Sequence, residues 1–458
     1  MRIGLIAMSG VRAWSEELNR AKLTMPGVVE RGEVIASLPS LSLLTLAGLT
    51  APEHDVSYHE IRDLRAECAR LGLAGTLPDH AWDLVAISTM SAQVFDAYAV
   101  ADHYRARGVK VVMGGLHVTS LPDEALRHCD AVVIGEAEPL WPRLLGDAAA
   151  GHLKPVYRRE EHEPEFDLAD APIPRFDLLD PDRYNRIPVQ TTRGCPHACE
   201  FCASSILLTR RYKLKPPENL RAELRAIREV WPRPFIELAD DNSFRSRAHA
   251  RRTLEVLREE DVRWFTEVDI GVAEDEELLD AMAAAGCRQV LIGLESPLTS
   301  GLDHLETRRN WKLRQYPRYE DAVRRIQRHG ITVNGCFILG LDGHGPEIFD
   351  AVEDFARRTC LWDVQITVLT PFPGTPLYAR LLKEGRIIEP GAWHTCTLFD
   401  VNFVPLGMSP EALQRGLIDL AHRLYADEAV LHRREGYFRD LPPRARGRHR
   451  RAHAAPAN

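Results

Sequence analysis

The 458-residue chain lacks any apolar run of the ~18 residues that a membrane-spanning helix needs. Its amino terminus, Met1-Arg2-Ile3-Gly4-Leu5-Ile6, lacks a signal-peptide pattern and goes straight into a strand-like run. The expectation is a cytoplasmic protein with no membrane partner. An excess of positive charge is lacking too: Lys and Arg number 58 against 66 Asp and Glu, a net charge of -8, so nucleic acid is not expected as a partner. Cysteine is present nine times, an odd number, but Cys68, Cys129, Cys287, Cys336, Cys360 and Cys396 stand singly, as reduced buried thiols do. The remaining three are clustered, and no second cysteine pair or His-x3-His follows them, which leaves a zinc knuckle short of ligands.

What is present is the apolar run Ile187 to Val189 and, directly after it, Thr191-Thr192-Arg193-Gly194-Cys195-Pro196-His197-Ala198-Cys199-Glu200-Phe201-Cys202. Three thiolates on one tight loop hold three corners of an iron–sulfur cube, and the missing fourth leaves one iron open to another ligand. The alternatives are a zinc knuckle or three unrelated thiols. The C-x3-C-x2-C spacing, with Phe201 before the last cysteine, resembles the radical S-adenosylmethionine (radical SAM) superfamily. That resemblance implies a [4Fe-4S] cluster on Cys195, Cys199 and Cys202 as catalytic and metal-binding residues. It implies S-adenosylmethionine on the open iron, cleaved to a 5′-deoxyadenosyl radical, and a reducing electron donor such as flavodoxin or ferredoxin.

Residues 1–150 alternate strand and helix patterns: strands at Arg2–Ala7, Asp55–Tyr58, Leu84–Ser88, Lys110–Gly115 and Ala131–Glu136, helices at Leu41–Ala47 and Gln93–Arg107. Short β-branched runs ending in Gly predict a doubly wound, Rossmann-like parallel sheet, whose ligands bind at the carboxyl ends of the strands. Those ends carry Ser88 and Thr89, then Gly114-Gly115-Leu116-His117-Val118-Thr119, then Gly135-Glu136-Ala137-Glu138. G-G-x-H-x-T followed by V-V-x-G-E-x-E is similar to the cobalamin-binding domains that precede many radical SAM cores. The resemblance implies cobalamin held by Ser88, Thr89, Gly114, Gly115, His117, Thr119, Gly135 and Glu136. The D-x-H-x-x-G motif that supplies a histidine to cobalt in other cobalamin proteins is absent, and His117 is not expected on the cobalt. Gly10–Leu38 is longer than a plain turn, and is either a cap over cofactor or substrate or a decoration.

Residues 151–186, rich in Pro and acidic residues, are expected as a linker. From 187 to 388 strand and helix repeat as in a partial (β/α)6 barrel, with polar or Gly-rich residues at six strand ends, where barrel sites lie. By resemblance to the radical SAM pattern, Asp240, Asp241 and Asn242 stand where the methionine amino group is held, although the glycine-rich form of that motif is missing. Glu295 and Ser296 resemble the ribose-contacting motif, and Leu339-Gly340 the one against adenine. Glu267, mid-strand and on one face with Asp269, is a further cofactor candidate, because an inward carboxylate needs a polar partner. Residues 389–435 are expected as a helical extension, starting at Ser409-Pro410 with Leu413, Leu417, Leu420 and Leu424 on one face. Residues 436–458 are expected as a disordered basic tail.

The expected fold is therefore α/β: a Rossmann-like cobalamin-binding-type domain, a partial radical SAM barrel and a small helical region. The leading functional expectation is a cobalamin-dependent methyltransferase acting on an unactivated carbon of a small-molecule substrate. The others are radical remodelling without methyl transfer, or a cobalamin or redox sensor, for which no DNA-binding module is seen.

Overall fold

The computed structural model describes residues 1–10, 13–20, 38–209, 211–306 and 308–446. Most of Gly10–Leu38, the expected cap, and the tail from 447 onward lie outside the described residues.

Six strands, β1 (Arg2–Met8), β2 (Asp55–Ile61), β3 (Leu84–Ser88), β4 (Lys110–Gly114), β5 (Ala131–Ile134) and β6 (Val156–Arg158), form one parallel sheet in the order β2-β1-β3-β4-β5-β6. Alternation along the strands splits their apolar runs between two cores. Ile6, Val85, Ile87, Val111 and Met113 pack with the helix Val94–Ala106, whereas Ile3, Leu5, Leu84, Ala86 and Val112 pack with Leu41–Leu49 and Trp141–Ala149. A strand buried on both faces reads as a continuous hydrophobic run, which is why the sheet was legible. The edge strand β6 corrects the expected linker 151–186. Only Tyr157 is apolar and buried in it, its hydroxyl donating to Asp147 Oδ2 at 2.8 Å, so a three-residue edge hid in a polar stretch.

The second sheet is also parallel and six-stranded: β7 (Ile187–Val189), β10 (Phe235–Leu238), β11 (Arg263–Glu267), β12 (Cys287–Glu295), β13 (Thr332–Leu339) and β14 (Asp363–Val368), ordered β14-β13-β12-β11-β10-β7. Among the described residues strands β7 and β14 are its unpaired edges, so the sheet is an open, partial barrel. A two-residue antiparallel hairpin, β8 (Thr192–Arg193) with β9 (Lys213–Leu214), closes the base of the cysteine loop.

The helix Pro410–Tyr425 begins as expected, with Ser409 Oγ accepting from Ala412 N at 3.2 Å, and buries Leu413, Leu417, Leu420 and Leu424. Gly340 makes room for it: its φ is +84°, and a Cβ there would stand 2.7 Å from Leu413 Cδ2. A further helix, Asp427–Asp440, runs through the start of the expected tail. Its arginines suggested solvation, but Arg433 is buried and donates to the carbonyls of Leu361 (3.1 Å) and Leu424 (2.8 Å), while Tyr437 and Leu441 pack by Trp362. Among the described residues no helix is long and apolar enough to cross a membrane.

Candidate active site

The cysteine loop is laid across the carboxyl ends of β10 and β11 by side chains that follow each strand. Asp240 is buried and accepts from Thr191 N (2.7 Å), Thr192 N (2.9 Å), Thr191 Oγ1 and Ser243 Oγ (2.7 Å). Its carboxylate is saturated, so it clamps the start of the loop rather than facing a ligand. Asp241 accepts from Gly194 N at 2.7 Å and from Ser204 Oγ, tying together the residues just before Cys195 and just after Cys202. Asn242 accepts from Asp269 N (3.1 Å), donates to Asp269 Oδ2 (2.9 Å), and brings its amide 3.8 Å from Cys195 Sγ. Asp269 also meets His197 at 3.2 Å and Arg245 at 3.1 Å. Burial alone would raise the Asp269 carboxyl, but His197, Asn242 and the Arg245 charge hold it down at about 2.

Cys195 and Cys202 are half-buried and Cys199 is buried, all three free. Burial pushes the Cys199 thiol up to about 12, so a thiolate there requires a cation. Among the described residues no three His, Cys, Asp or Glu side chains converge on a single ion. The three thiols lie close enough that Cys202 and Cys195 add to the rise at Cys199, as a cube that takes each cysteine on a different iron needs.

Inside the sheet's open face stand three carboxylates. Glu237 is paired with Arg186, and Glu295 with Lys312, which also donates to Gly293 O at 2.7 Å. Glu295 sits at φ +62°, a strained setting for a residue with a side chain. The Glu267 carboxyl group makes no hydrogen bond or ion pair among the described residues. Its side chain keeps accessible surface although protein atoms crowd around it. Burial, with the negative charges of Glu237, Asp241 and Glu295, pushes it up to about 8. Because the folded state keeps this proton up to about pH 8 and the unfolded state releases it from about 4.5, stability contributed by the protonated form is lost as pH rises between those values. Glu267→Gln is expected to flatten that loss, read as melting temperatures of the cofactor-free protein at pH 5 and pH 8; an unchanged difference would place Glu267 in ordinary solvent.

Other expected contacts are occupied by the fold itself. Ser296 is fully buried, with Oγ against Leu298 O, Leu298 N and His344 Nε2 within 3.0 Å. Leu339 is fully buried in the core and Gly340 faces the helix Pro410–Tyr425. Lys312, Arg186 and Glu237 were not singled out from the sequence as site residues. A lone Lys on a short helix carries no local signal, since its partner lies 17 residues away.

At the first sheet, Gly115 has φ +107°, and a Cβ there would stand 2.5 Å from Thr89 O. Thr89 is buried, with Oγ1 on Met90 O, Ser88 is half-buried, and Thr119 Oγ1 accepts from Gly135 N at 3.0 Å. Gly114 and Gly135 face roomier ground: nothing lies within 4 Å of a Cβ built on Gly135, so a large ligand has space to approach. His117 does not face that ground. It is fully buried, with Nδ1 3.0 Å from Ser91 Oγ and Nε2 3.3 Å from Glu124 Oε1. Glu136 faces away as well, receiving Arg193 at 2.8 Å and Lys213 at 2.6 Å, and Glu138 receives Arg193 at 2.6 Å. Arg193 immediately precedes the cysteine loop, so the carboxyl ends of the two sheets meet face to face.

Three family models match the chain: "Radical SAM superfamily" over residues 189–356, "B12 binding domain" over residues 36–145, and "Domain of unknown function (DUF4070)" over residues 375–456. A curated relative, the bacteriochlorophyllide d C-12(1)-methyltransferase of Chlorobaculum tepidum, is 28% identical over 417 residues, covering 89% of this chain and 87% of that one. The anaerobic magnesium-protoporphyrin IX monomethyl ester cyclase of Cereibacter sphaeroides is 24% identical over 443 residues, 87% of this chain and 69% of that one. The cobalamin-dependent S-adenosylmethionine radical enzyme OxsB, solved with aqua-cobalamin and S-adenosylmethionine, shares the fold at a TM-score of 0.65, with 15% identity over 99% of this chain and 70% of that one. The cofactors that go with these domains are a [4Fe-4S] cluster, S-adenosylmethionine and cobalamin. With a cysteine loop spaced for a cube and a B12-binding domain docked onto it, the chain carries a radical SAM domain joined to a B12-binding domain, the pairing of the cobalamin-dependent radical SAM enzymes.

Proposed function

We propose that the protein is a C-methyltransferase acting on an unactivated carbon of a small molecule. The observation that carries this reading is the seam at Arg193: the loop with Cys195, Cys199 and Cys202 is bonded to Glu136 and Glu138 beside the first sheet's open strand ends. When bound, the cluster with S-adenosylmethionine supplies hydrogen abstraction from an unactivated carbon, and cobalamin supplies the methyl group. The chain's own residues bind and orient. Cys195, Cys199 and Cys202 hold the cluster, Asp241 and Asn242 keep its loop in place, and the Glu295–Lys312 pair offers a charged acceptor for ribose hydroxyls. Glu267 offers a carboxyl group to an amino group of cofactor or substrate. Ser88, Thr89, Gly114, Gly115, Thr119 and Gly135 shape the cobalamin cradle, and His117 supports it from behind.

The experiment is anaerobic reconstitution with and without cobalamin, followed by mass spectrometry of the S-adenosylmethionine products. Deoxyadenosine together with S-adenosylhomocysteine is the expected result with cobalamin. Deoxyadenosine alone would favour the second reading, remodelling of a small molecule without methyl transfer, for which the similarity to a cyclase is the specific observation.

Two narrower outcomes are expected. Glu295→Gln removes one charged acceptor and weakens S-adenosylmethionine binding by ~1.5–3 kcal/mol, measured by equilibrium titration; equal affinity would take Glu295 out of the site. Because both ring nitrogens of His117 are engaged inside the protein, cobalt(II) in the bound cobalamin is expected to show no nitrogen hyperfine coupling from a protein histidine. Such coupling in the paramagnetic resonance spectrum would overturn the histidine-free cradle.

A further inference from the structure

A cleft of about 360 Å³ opens beside the cysteine loop and has Cys195, Pro196, His197 and Ala198 along one wall. Arg245, Arg308, Arg309 and Arg314 line it, and all four are exposed. Arg245 is paired with Asp269; among the described residues Arg308, Arg309 and Arg314 make no ion pair. The acidic residue that lines the cleft, Glu306, is buried and accepts from Trp311 N at 2.8 Å. On a chain of net charge -8 this collar is a local reversal of sign, and it lies beside one side of the loop assigned to the cluster. The wall is thin: Cys195 itself borders the cleft, and the Trp311 ring lies 4.4 Å from that of His197, between Cys195 and Cys199 in the chain.

We propose that this collar docks an acidic one-electron carrier protein, its arginines meeting the carrier's carboxylates and the Cys195–Ala198 wall facing the carrier's redox group. The inference rests on the cluster reading above. One electron leaves the carrier, which is oxidised by one unit, and enters the cluster, which is reduced by one; no atom or proton changes place. A wide, exposed set of guanidinium groups suits a carboxylate-rich protein surface, because each fork accepts a carboxylate and the summed field steers the encounter. It does not suit retention of a small anion, which needs an enclosing pocket.

The test uses the reconstituted full chain and its triple variant Arg308→Glu, Arg309→Glu and Arg314→Glu, with the triple Arg→Gln variant as the milder form. Four quantities are read: iron content, S-adenosylmethionine affinity, affinity for oxidised flavodoxin at low salt, and the stopped-flow rate of cluster reduction. The reductants are flavodoxin hydroquinone and reduced methyl viologen, a small cation. Charge reversal is expected to lower flavodoxin affinity and its reduction rate about tenfold or more and to erase their salt dependence, with the Gln variant intermediate. Iron content, S-adenosylmethionine affinity and the viologen rate are expected to hold or, for the viologen, rise. An unchanged flavodoxin rate overturns the proposal, as does an equal loss with both reductants. A parallel loss of S-adenosylmethionine affinity would assign the arginines to the cofactor site instead. Wild-type protein that binds no iron sinks the cluster reading separately, and the flavodoxin affinity still reads the collar.

Discussion

Replacing Cys195, Cys199 and Cys202 together by alanine is expected to drop the iron content after anaerobic reconstitution from about four per chain to background and to abolish cleavage of S-adenosylmethionine. The loss is complete because nothing else can take over. Cys68, Cys129, Cys287, Cys360 and Cys396 lie apart from the loop, four of them buried. Cys336 on β13 stands singly as well, and burial, together with Glu295 and Glu267, pushes its thiol above the usual range. One thiol cannot hold a cube. Retention of about four irons in the triple variant would show that another set of ligands had been overlooked.

Arg193→Met is expected to destabilise the protein by about 3–5 kcal/mol, because removing one partner of a buried ion pair leaves the others uncompensated. The side chains of Arg193, Glu136 and Glu138 are only 15%, 11% and 10% exposed. Burial disfavours the Arg193 charge, but Glu138 and Glu136 more than offset it and hold its guanidinium above the usual range. Lys213 stays on Glu136 in the variant, while Glu138 is left without its cation. Thermal melts of the variant at low and at high salt measure the effect. A loss that persists at high salt is expected for a buried seam, whereas a change under about 0.5 kcal/mol would mark an ordinary surface contact. Glu138→Gln added to Arg193→Met should recover part of the loss by removing the stranded charge.

The sheets were legible because their strands are buried on both faces and carry uninterrupted runs such as Leu5-Ile6-Ala7 and Val111-Val112-Met113. The edge strand β6 was not legible, having one buried side chain. Only the last turn of the helix Asp427–Asp440 was misread as tail, because an arginine-rich run looks solvated until Tyr437 is found packed by Trp362. The candidate site divides in the same way. The sequence reading marked Asp240, Asp241 and Asn242 as acidic or amide groups at a strand end, but whether a carboxylate faces a ligand depends on how many donors already reach it.

The sequence by itself determined the chemistry of the cysteine loop, because a cube needs only three thiols close along the chain, and spacing is a local property. It also determined the strand and helix succession, since burial imposes a period that each segment carries alone. Only the tertiary structure decided which groups are already used. Asp240 bonds across 49 positions, Arg193 reaches Glu136 across 57 and Trp393 reaches Glu124 across 269. Those separations have no signature in any window of sequence. The open carboxyl of Glu267 and the unpaired arginines beside the cysteine loop follow from that three-dimensional accounting, since a side chain is free only when no distant donor or acceptor has been folded against it.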